Sequence, residues 1–348
     1  MSLETLAELL KEHYDNYPDM EVRDAVKFLY QHHMGPGHLV DDQEAALARL
    51  ETEWEQVEAD SALPLAEPLG NGLCRLNLSS CKGKQLSIQT VCRLFALTAQ
   101  EVSPGHLALE RDLELVYALP FSREIADSFL RRYRADGCPA VGHSKSYRRA
   151  YRPAYRVVSE HYVNLFPILS AIDRGMAAEP RFRVAIDGPC ASGKSTLGAD
   201  LAKIYRCPLI HMDDFFLRPE QRTQERLAQT GGNVDYERFD REVLSPLCRG
   251  EAARYQPWQC RTGDFGPEIT LSPSPLTVME GSYALRPDLR DRYHLRIWVE
   301  APWEVRLQRL SQRGGPGCLA RFQNQWIPME DRYFRECRVK ECCQLTYP

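Results

Sequence analysis

The chain has 348 residues, of which 43% are hydrophobic and 26% charged, and its net charge is -4. This composition is typical of a globular protein, and the length suits two domains. The mean hydropathy is -0.44, and no apolar run approaches the roughly 20 residues that a membrane-spanning helix needs, which argues against a membrane protein. Glu4 stands where an export signal carries positive charge, so we expect a cytoplasmic protein.

The cysteine pattern argues against a disulfide framework. There are twelve cysteines, and no two of them have the two-residue spacing that most structural zinc sites use. We therefore expect reduced thiols, including the adjacent pair Cys342 and Cys343.

Residues 1–174 predict a mostly helical domain. Apolar residues recur at helical spacing, first at Leu6, Leu9 and Leu10 and then through the first fifty residues. Further helices are predicted around 87–101, 106–118, 122–135 and 157–172, with one lone strand over 73–78. The periodicity stops at 174–180, which predicts a short linker.

Two groups of histidines in this part have two interpretations each. His32, His33 and His38 surround a glycine turn and could hold a metal, but a helix-end cap is favoured. His143 could act as an acid–base group, yet the sequence spacing identifies no partner for it. Both groups are expected to be structural.

Charge is distributed unevenly along the chain. Residues 1–70 hold 16 acidic and 4 basic residues, whereas 131–156 hold eight basic residues and one acidic residue. The basic segment also contains Tyr133, Tyr147, Tyr151 and Tyr155. It could bind phosphate or nucleic acid, or it could be an amphipathic helix whose tyrosines pack, and the sequence leaves both open.

Residues 180–348 predict a parallel α/β sheet with flanking helices. Short strand-like runs at 181–186, 208–212, 276–279 and 295–299 alternate with helical segments. The first run leads into a nine-residue loop that matches GxxxxGK[ST] and precedes a helix, the context of a phosphate-binding P-loop. The predicted nucleotide-binding residues are Gly188, Pro189, Cys190, Ala191, Ser192, Gly193, Lys194, Ser195 and Thr196.

Phosphoryl transfer also needs an acid near magnesium, a carboxylate for the acceptor hydroxyl and positive charge over the transferred group. Asp213 and Asp214 follow the second predicted strand, with Asp214 a candidate for binding the acceptor, and Glu280 ends a later strand. Arginines then share one helical face ahead of the glycine-rich residues 314–317, which predicts a hinged lid. These arginines are Arg306, Arg309 and Arg313.

In this order, the motifs resemble the uridine kinase and phosphoribulokinase branch of the P-loop kinases. The resemblance covers about residues 180–335 and rests on GPCASGKST, HMDDFF, VDYERFDREVL, VMEGSYAL and the arginine helix. It implies a nucleoside triphosphate, ATP or GTP, as phosphoryl donor, Asp213 as the catalytic aspartate and Lys194 as the phosphate lysine. It also implies Ser195 and Glu280 as the magnesium-linked groups and the three arginines as lid residues.

The acceptor pocket follows the family less closely. Asp235 resembles the family's acceptor-binding aspartate but stands one residue too close to the Phe-Asp pair that follows. Tyr255 and Arg261 match a tyrosine and an arginine that contact the nucleoside, and the family's histidine is missing. A changed set of polar groups predicts a changed acceptor.

The sequence therefore predicts an ATP- and Mg²⁺-dependent kinase whose partner is a small molecule that offers a hydroxyl group. A homo-oligomer is compatible with this prediction, no membrane partner is expected, and nucleic acid is less favoured. Two alternatives stay open: a nucleotide-gated binding protein that uses the basic segment 131–156, and a bifunctional enzyme with a second activity in residues 1–174.

Overall fold

The computed structural model describes residues 5–40 and 42–348, without the side chains of residues 43 and 314–318. The chain divides into two compact units, Met1–Asp173 and Arg174–Pro348.

The first unit is mostly helical with a small sheet. Its elements are α1 (Leu6–Asn16), α2 (Val22–Met34), α3 (Gln43–Gln56), β1 (Ala66–Gly70), β2 (Leu73–Asn77), α4 (Leu78–Gly83), α5 (Ile88–Glu101), α6 (His106–Asp112), α7 (Arg123–Ala135), α8 (Lys145–Tyr151), β3 (Tyr155–Ser159), α9 (Glu160–Asn164) and α10 (Phe166–Ala178). Short 3-10 helices cover Gly37–Leu39 and Leu113–Ala118. The core is built around α2, whose buried face includes Ala25, Val26, Phe28 and Leu29.

The small sheet departs from the expected pattern. It has the order β1-β2-β3 with antiparallel neighbours, so the predicted lone strand at 73–78 is the middle strand of three. The predicted helix at 157–172 is wrong at its start, because β3 pairs with β2 in this stretch. It is also too short, because α10 continues to Ala178 through most of the predicted linker.

The second unit is an α/β fold. Its elements are β4 (Phe182–Asp187), α11 (Lys194–Tyr205), β5 (Leu209–His211), α12 (Gln224–Ala228), α13 (Tyr236–Phe239), α14 (Ser245–Arg249), β6 (Ala253–Tyr255), β7 (Trp258–Gln259), β8 (Asp264–Phe265), β9 (Ile269–Leu271), β10 (Leu276–Glu280), α15 (Pro287–Arg290), β11 (Leu295–Val299), α16 (Trp303–Arg321), α17 (Ile327–Cys337) and β12 (Leu345–Tyr347). Short 3-10 helices cover Met212–Phe215 and Pro219–Gln221, and π-helical segments cover Asp240–Leu244 and Phe322–Trp326.

The main sheet of this unit confirms the predicted fold class. Five parallel strands lie in the order β12-β11-β4-β10-β5, and all residues of β10 are buried. Glu280 pairs in register with Ile186 on one side and with His211 on the other. The carboxyl ends of three neighbouring strands therefore meet at one edge, where open α/β sheets bind ligands.

Three further predictions have structural outcomes. Residues 314–317, predicted as a hinge, lie within the continuous helix α16, because glycine adopts helical dihedral angles as well as others. The eleven cysteines whose side chains are described are free thiols. Among the described residues, no helix combines the length and apolarity needed to cross a bilayer.

Candidate active site

The predicted P-loop connects β4 to α11 at the centre of the sheet edge. Gly188 begins the loop with φ of 150°, and a Cβ at this position would lie 2.0 Å from Val299 O. Gly193 ends it with φ of 119°, directly before α11 begins at Lys194. Glycine is required at the first position because the backbone of β11 approaches too closely for any side chain.

Lys194 closes over this loop. The side chain is 8% exposed, and Nζ donates to Gly188 O at 2.8 Å and to Pro189 O at 2.9 Å. Ser192 Oγ, in the same loop, is buried and has no hydrogen-bond partner. The loop therefore brings together a cationic side chain, an unsatisfied hydroxyl and the N-terminal end of α11, which are the features of an anion-binding site.

Two of the predicted lid arginines contact the loop from α16. Arg306 Nε donates to Cys190 O at 2.9 Å, and Arg309 Nη1 donates to Ala191 O at 2.9 Å and to Ser192 O at 3.0 Å. Arg313, one turn further along the helix, is exposed. In this conformation, the guanidinium groups of Arg306 and Arg309 hold carbonyl groups of the loop.

A chain of polar groups runs along the sheet edge beside the loop. Ser195 Oγ donates to Glu280 Oε2 at 3.2 Å, and His211 Nδ1 lies 2.5 Å from Glu280 Oε1. The bond to Glu280 raises the pKa of His211 despite partial burial. The structure thus brings the two predicted magnesium-linked groups, Ser195 and Glu280, into direct contact, and adds His211, which the sequence did not single out.

Asp213 lies in the 3-10 turn that follows β5. Its side chain reaches solvent, although the surrounding chain partly desolvates the carboxylate. This desolvation, together with the negative charge of Glu280, raises the pKa of Asp213 to about 6. A carboxylate with a pKa in this range is suited to general-base chemistry near neutral pH.

Asp214 and Tyr255, two of the predicted acceptor-binding residues, lie in contact with each other. Tyr255 is 3% exposed on β6, and its hydroxyl donates to Asp214 Oδ2 at 3.1 Å. Arg238 fixes the backbone here, with Nη2 donating to Asp214 O at 2.5 Å and Nη1 to Gln256 O at 2.8 Å. The Arg238 guanidinium also stacks 4.3 Å from the centre of the Phe215 ring.

The remaining predicted acceptor residues lie in different surroundings. Asp235 is 6% exposed and caps α13, with Oδ1 accepting from Arg238 N at 3.0 Å and Oδ2 accepting from Gln221 Nε2 at 2.7 Å. Arg261 is exposed in the turn between β7 and β8. The carboxylate of Asp235 therefore has a structural function in this conformation.

Sequence reasoning missed two buried acids behind the loop. Asp187 accepts from Gly188 N at 2.7 Å, from Leu285 N at 3.0 Å and from the Tyr333 hydroxyl at 2.8 Å. Burial raises the pKa of Asp187 to about 7 in spite of these donors. The position of Asp187 next to the glycine loop was the only available sequence signal.

Glu330 is the other missed acid. It reaches the loop from α17, where Oε2 accepts from Cys190 N at 2.8 Å and Oε1 accepts from Ser282 Oγ at 2.7 Å. No local pattern in the sequence marks this residue.

The oxygen donors of this edge are chemically suited to magnesium. Mg²⁺ prefers oxygen ligands and is usually bound by one or two carboxylates together with substrate phosphates. Ser195 and Glu280 supply a hydroxyl and a carboxylate beside the loop. Among the described residues, no group of three or more His, Cys, Asp or Glu side chains is arranged to hold a metal.

Comparison with solved structures gives low-similarity matches to about half of the chain. One is described as a possible uridine kinase from Bacillus stearothermophilus, with 18% identity and a TM-score of 0.40 over 52% of this chain and 100% of that chain. A second is a putative fructose transport system kinase from Silicibacter sp. TM1040, with 25% identity and a TM-score of 0.41 over 49% of this chain and 90% of that chain. A shikimate kinase from Bacteroides thetaiotaomicron matches at 12% identity with a TM-score of 0.25, covering 47% of this chain and 85% of that chain.

No family model and no curated protein matches the sequence.

Proposed function

We propose that this protein is a kinase that transfers the γ-phosphoryl group of ATP to a hydroxyl group of a small molecule. The observation that carries the proposal is the arrangement of Lys194, the Ser195–Glu280 pair and Asp213 at one edge of the parallel sheet. The unpartnered Ser192 hydroxyl supports a loop shaped around an anion.

Each group has a defined part in this proposal. Lys194 moves its ammonium group from the loop carbonyls to the triphosphate, and Asp213 takes the proton of the acceptor hydroxyl. Ser195 and Glu280 would hold Mg²⁺, which would supply positive charge that offsets the negative charge of the phosphates. His211 keeps Glu280 in place through its hydrogen bond.

The arginines and the acceptor pocket belong to the same proposal. Arg306 and Arg309 fix the shape of the loop through its carbonyl groups, and contact between Arg313 and the phosphates stays a prediction. The acceptor binds near Asp214 and Tyr255, whose side chains already share a hydrogen bond. Asp235 and Arg261 stay predicted members of this pocket.

The test is a screen for ADP release. Full-length protein is incubated with ATP and Mg²⁺ against a panel of nucleosides, sugars and other small alcohols, and each positive is repeated with excess EDTA. We expect one class of acceptor to accelerate ADP release and EDTA to abolish it. ADP release that no acceptor accelerates would contradict the proposal.

A matched pair of variants tests the role of Lys194. Lys194→Ala removes the ammonium group from the loop, whereas Lys203→Ala removes an exposed lysine from the same helix. We expect at least about a 100-fold fall in kcat for Lys194→Ala, since it removes a charge aimed at the transition state. Lys203→Ala is expected to keep normal turnover, and equal rates in the two variants would exclude Lys194 from the reaction.

A further inference from the structure

The first unit contains a cleft that the proposed kinase reaction does not use. Its volume is about 580 Å³, and it lies between α1, β1, β2 and the segment from α8 to β3. This volume is within the range of roughly 300–1,000 Å³ that is usual for small-molecule sites. Four tyrosines contribute to its wall: Tyr17, Tyr147, Tyr151 and Tyr155.

Arg75 contributes a buried positive charge to this cleft. The residue is 2% exposed, and its Nε donates to Gln31 Oε1 at 2.9 Å while Nη1 donates to His13 Nε2 at 3.0 Å. Nη2 is buried and has no hydrogen-bond partner. A buried donor without a partner is costly, so the guanidinium is kept behind the cleft wall at a cost in stability.

Glu67 places a negative charge beside Arg75. Its Oε1 accepts from His13 Nδ1 at 2.6 Å, so the imidazole is held between Glu67 and Arg75. The other oxygen, Oε2, lies 3.6 Å from Arg75 Nη1, which is an ion pair but too long for a hydrogen bond. Burial opposes ionisation of Glu67, but His13 and Arg75 outweigh it and lower the pKa of this carboxyl.

The orientation of Tyr155 is fixed by residues behind the wall of the cleft. Its hydroxyl lies 2.6 Å from His143 Nε2, and His143 Nδ1 lies 2.9 Å from Asp24 Oδ1. The Arg75 guanidinium stacks 4.8 Å from the centre of the Tyr155 ring. The basic, tyrosine-rich segment therefore forms part of the cleft wall, and His143 supports Tyr155 from behind that wall.

The charges of the cleft restrict the ligand it can take. Arg75 and Glu67 place opposite charges close together, and Glu12 and Arg152 add a second pair of opposite charges to the lining, so the cleft favours neither sign of ligand charge. A neutral molecule with several hydroxyl groups can donate hydrogen bonds to Glu67 without bringing another charge into the cleft. Tyrosine rings pack well against the flat face of such a ring compound.

We propose that this cleft is a second ligand site, separate from the phosphate loop, for a neutral polyhydroxylated ring compound such as a sugar or a nucleoside. The hydroxyl groups of the ligand donate to Glu67, beside the buried Arg75, and its ring packs on the tyrosines. Only the ring hydroxyls are required, and the experiment below distinguishes free sugars from nucleosides.

Calorimetric titration of the full chain tests the proposal, without ATP or Mg²⁺. The probes are D-ribose, D-glucose, uridine and adenosine, with D-ribose 5-phosphate as the charged comparator. The cleft variants are Glu67→Gln, which keeps an acceptor for His13 but removes the charge, and Asn16→Trp, which places a bulky ring at the cleft wall on α1. Their matched controls are Glu58→Gln and Asp15→Trp at exposed positions of the same unit that do not line the cleft. Asp214→Asn alters the proposed acceptor pocket instead.

We expect at least one neutral probe to bind, and its Kd to rise about 10-fold or more in Glu67→Gln, as for a lost hydrogen bond to a charged group. Asn16→Trp is expected to abolish binding, while both controls and Asp214→Asn retain it. Binding of the nucleosides alone identifies a nucleoside site, and binding of ribose identifies a sugar site.

Three outcomes overturn the proposal: no probe binds, the phosphorylated comparator binds more tightly than ribose, or binding disappears in Asp214→Asn and persists in the cleft variants. If circular dichroism shows that Asn16→Trp does not fold, the comparison of Glu67→Gln with Glu58→Gln decides.

Discussion

Asp213 is the side chain whose ionisation bears most directly on the proposed reaction. Its pKa is raised to about 6 by desolvation and by the charge of Glu280, and only the ionised form can accept a proton. We therefore expect kcat/KM to rise with pH up to about 6 and to level off above it. Asp213→Asn should remove this acidic limb and lower turnover at least about 100-fold, measured by ADP release across pH 4.5–8.

The matched control is Asp331→Asn, which changes an exposed aspartate on α17. It should reproduce the pH profile of the unchanged protein. An acidic limb that persists in Asp213→Asn would assign the titration to another group.

The same raised pKa has a consequence for stability. The folded protein binds the Asp213 proton more tightly than the unfolded chain does, so stability decreases as pH rises from about 4 to 6. Asp213→Asn should therefore raise Tm at pH 8 relative to the unchanged protein, and should not raise it at pH 3.5, where both side chains are uncharged. A lower Tm at pH 8 would contradict the assigned direction of the pKa shift.

At the scale of elements, the close approach of β11 to the loop after β4 dictates glycine at position 188. Both Gly188 and Gly263 have positive φ, but a Cβ at Gly188 would meet Val299 O, whereas Gly263 has open space around it. Alanine at either position strains the backbone, typically by about 1 kcal/mol. We expect Gly188→Ala to lower the free energy of unfolding by several times this amount and to abolish ATP binding. Gly263→Ala should bind ATP normally. Thermal unfolding measures the change in stability, and calorimetric titration measures ATP binding.

Asp235, at the start of the short helix α13, caps the helix and is also predicted to bind the acceptor, and different substitutions can separate these two roles. As a cap, the carboxylate holds Arg238 N and the Gln221 side chain, so Asp235→Ala should cost about 1–3 kcal/mol in unfolding free energy. Asp235→Asn keeps an oxygen for the cap and should lose less. If the residue also binds the acceptor, Asp235→Asn raises KM with little change in Tm, and an unchanged KM would restrict Asp235 to the cap.

Elements with local signals could be predicted from the sequence, and those that depend on distant partners could not. The loop at Gly188–Gly193 follows a buried strand and leads into a helix that begins at Lys194, so its context is local and its position between a strand and a helix was predicted correctly. By contrast, β3 forms because Val158 and Arg156 pair with Cys74 and Leu76, far away in the sequence. Its apolar residues fit a helical period equally well, which explains the wrong prediction.

The residues of the candidate site divide in the same way, into those that a local sequence pattern marks and those that only distant contacts bring to the site. Lys194, Ser195 and Glu280 lie at ends of strands and at the start of a helix, where pattern and topology coincide. Glu330 reaches the loop from α17 near the end of the chain, and only the folded structure brings it there. The contacts of Arg306 and Arg309 with loop carbonyls likewise depend on how α16 packs, which periodicity alone does not specify.

At the scale of the whole molecule, the division into two units predicts two unfolding transitions on heating. Each unit has its own buried core, the first around α2 and the second around the parallel sheet. We expect two transitions in calorimetry, of which ATP with Mg²⁺ raises only the one that belongs to the Arg174–Pro348 unit. At 100 times Kd, a ligand stabilises its unit by about 2.7 kcal/mol, which corresponds to a shift of roughly 5–10 °C for a unit of this size. Lys194→Ala should lose this shift and keep both transitions, whereas a single transition that nucleotide moves as a whole would mean that the two units unfold together.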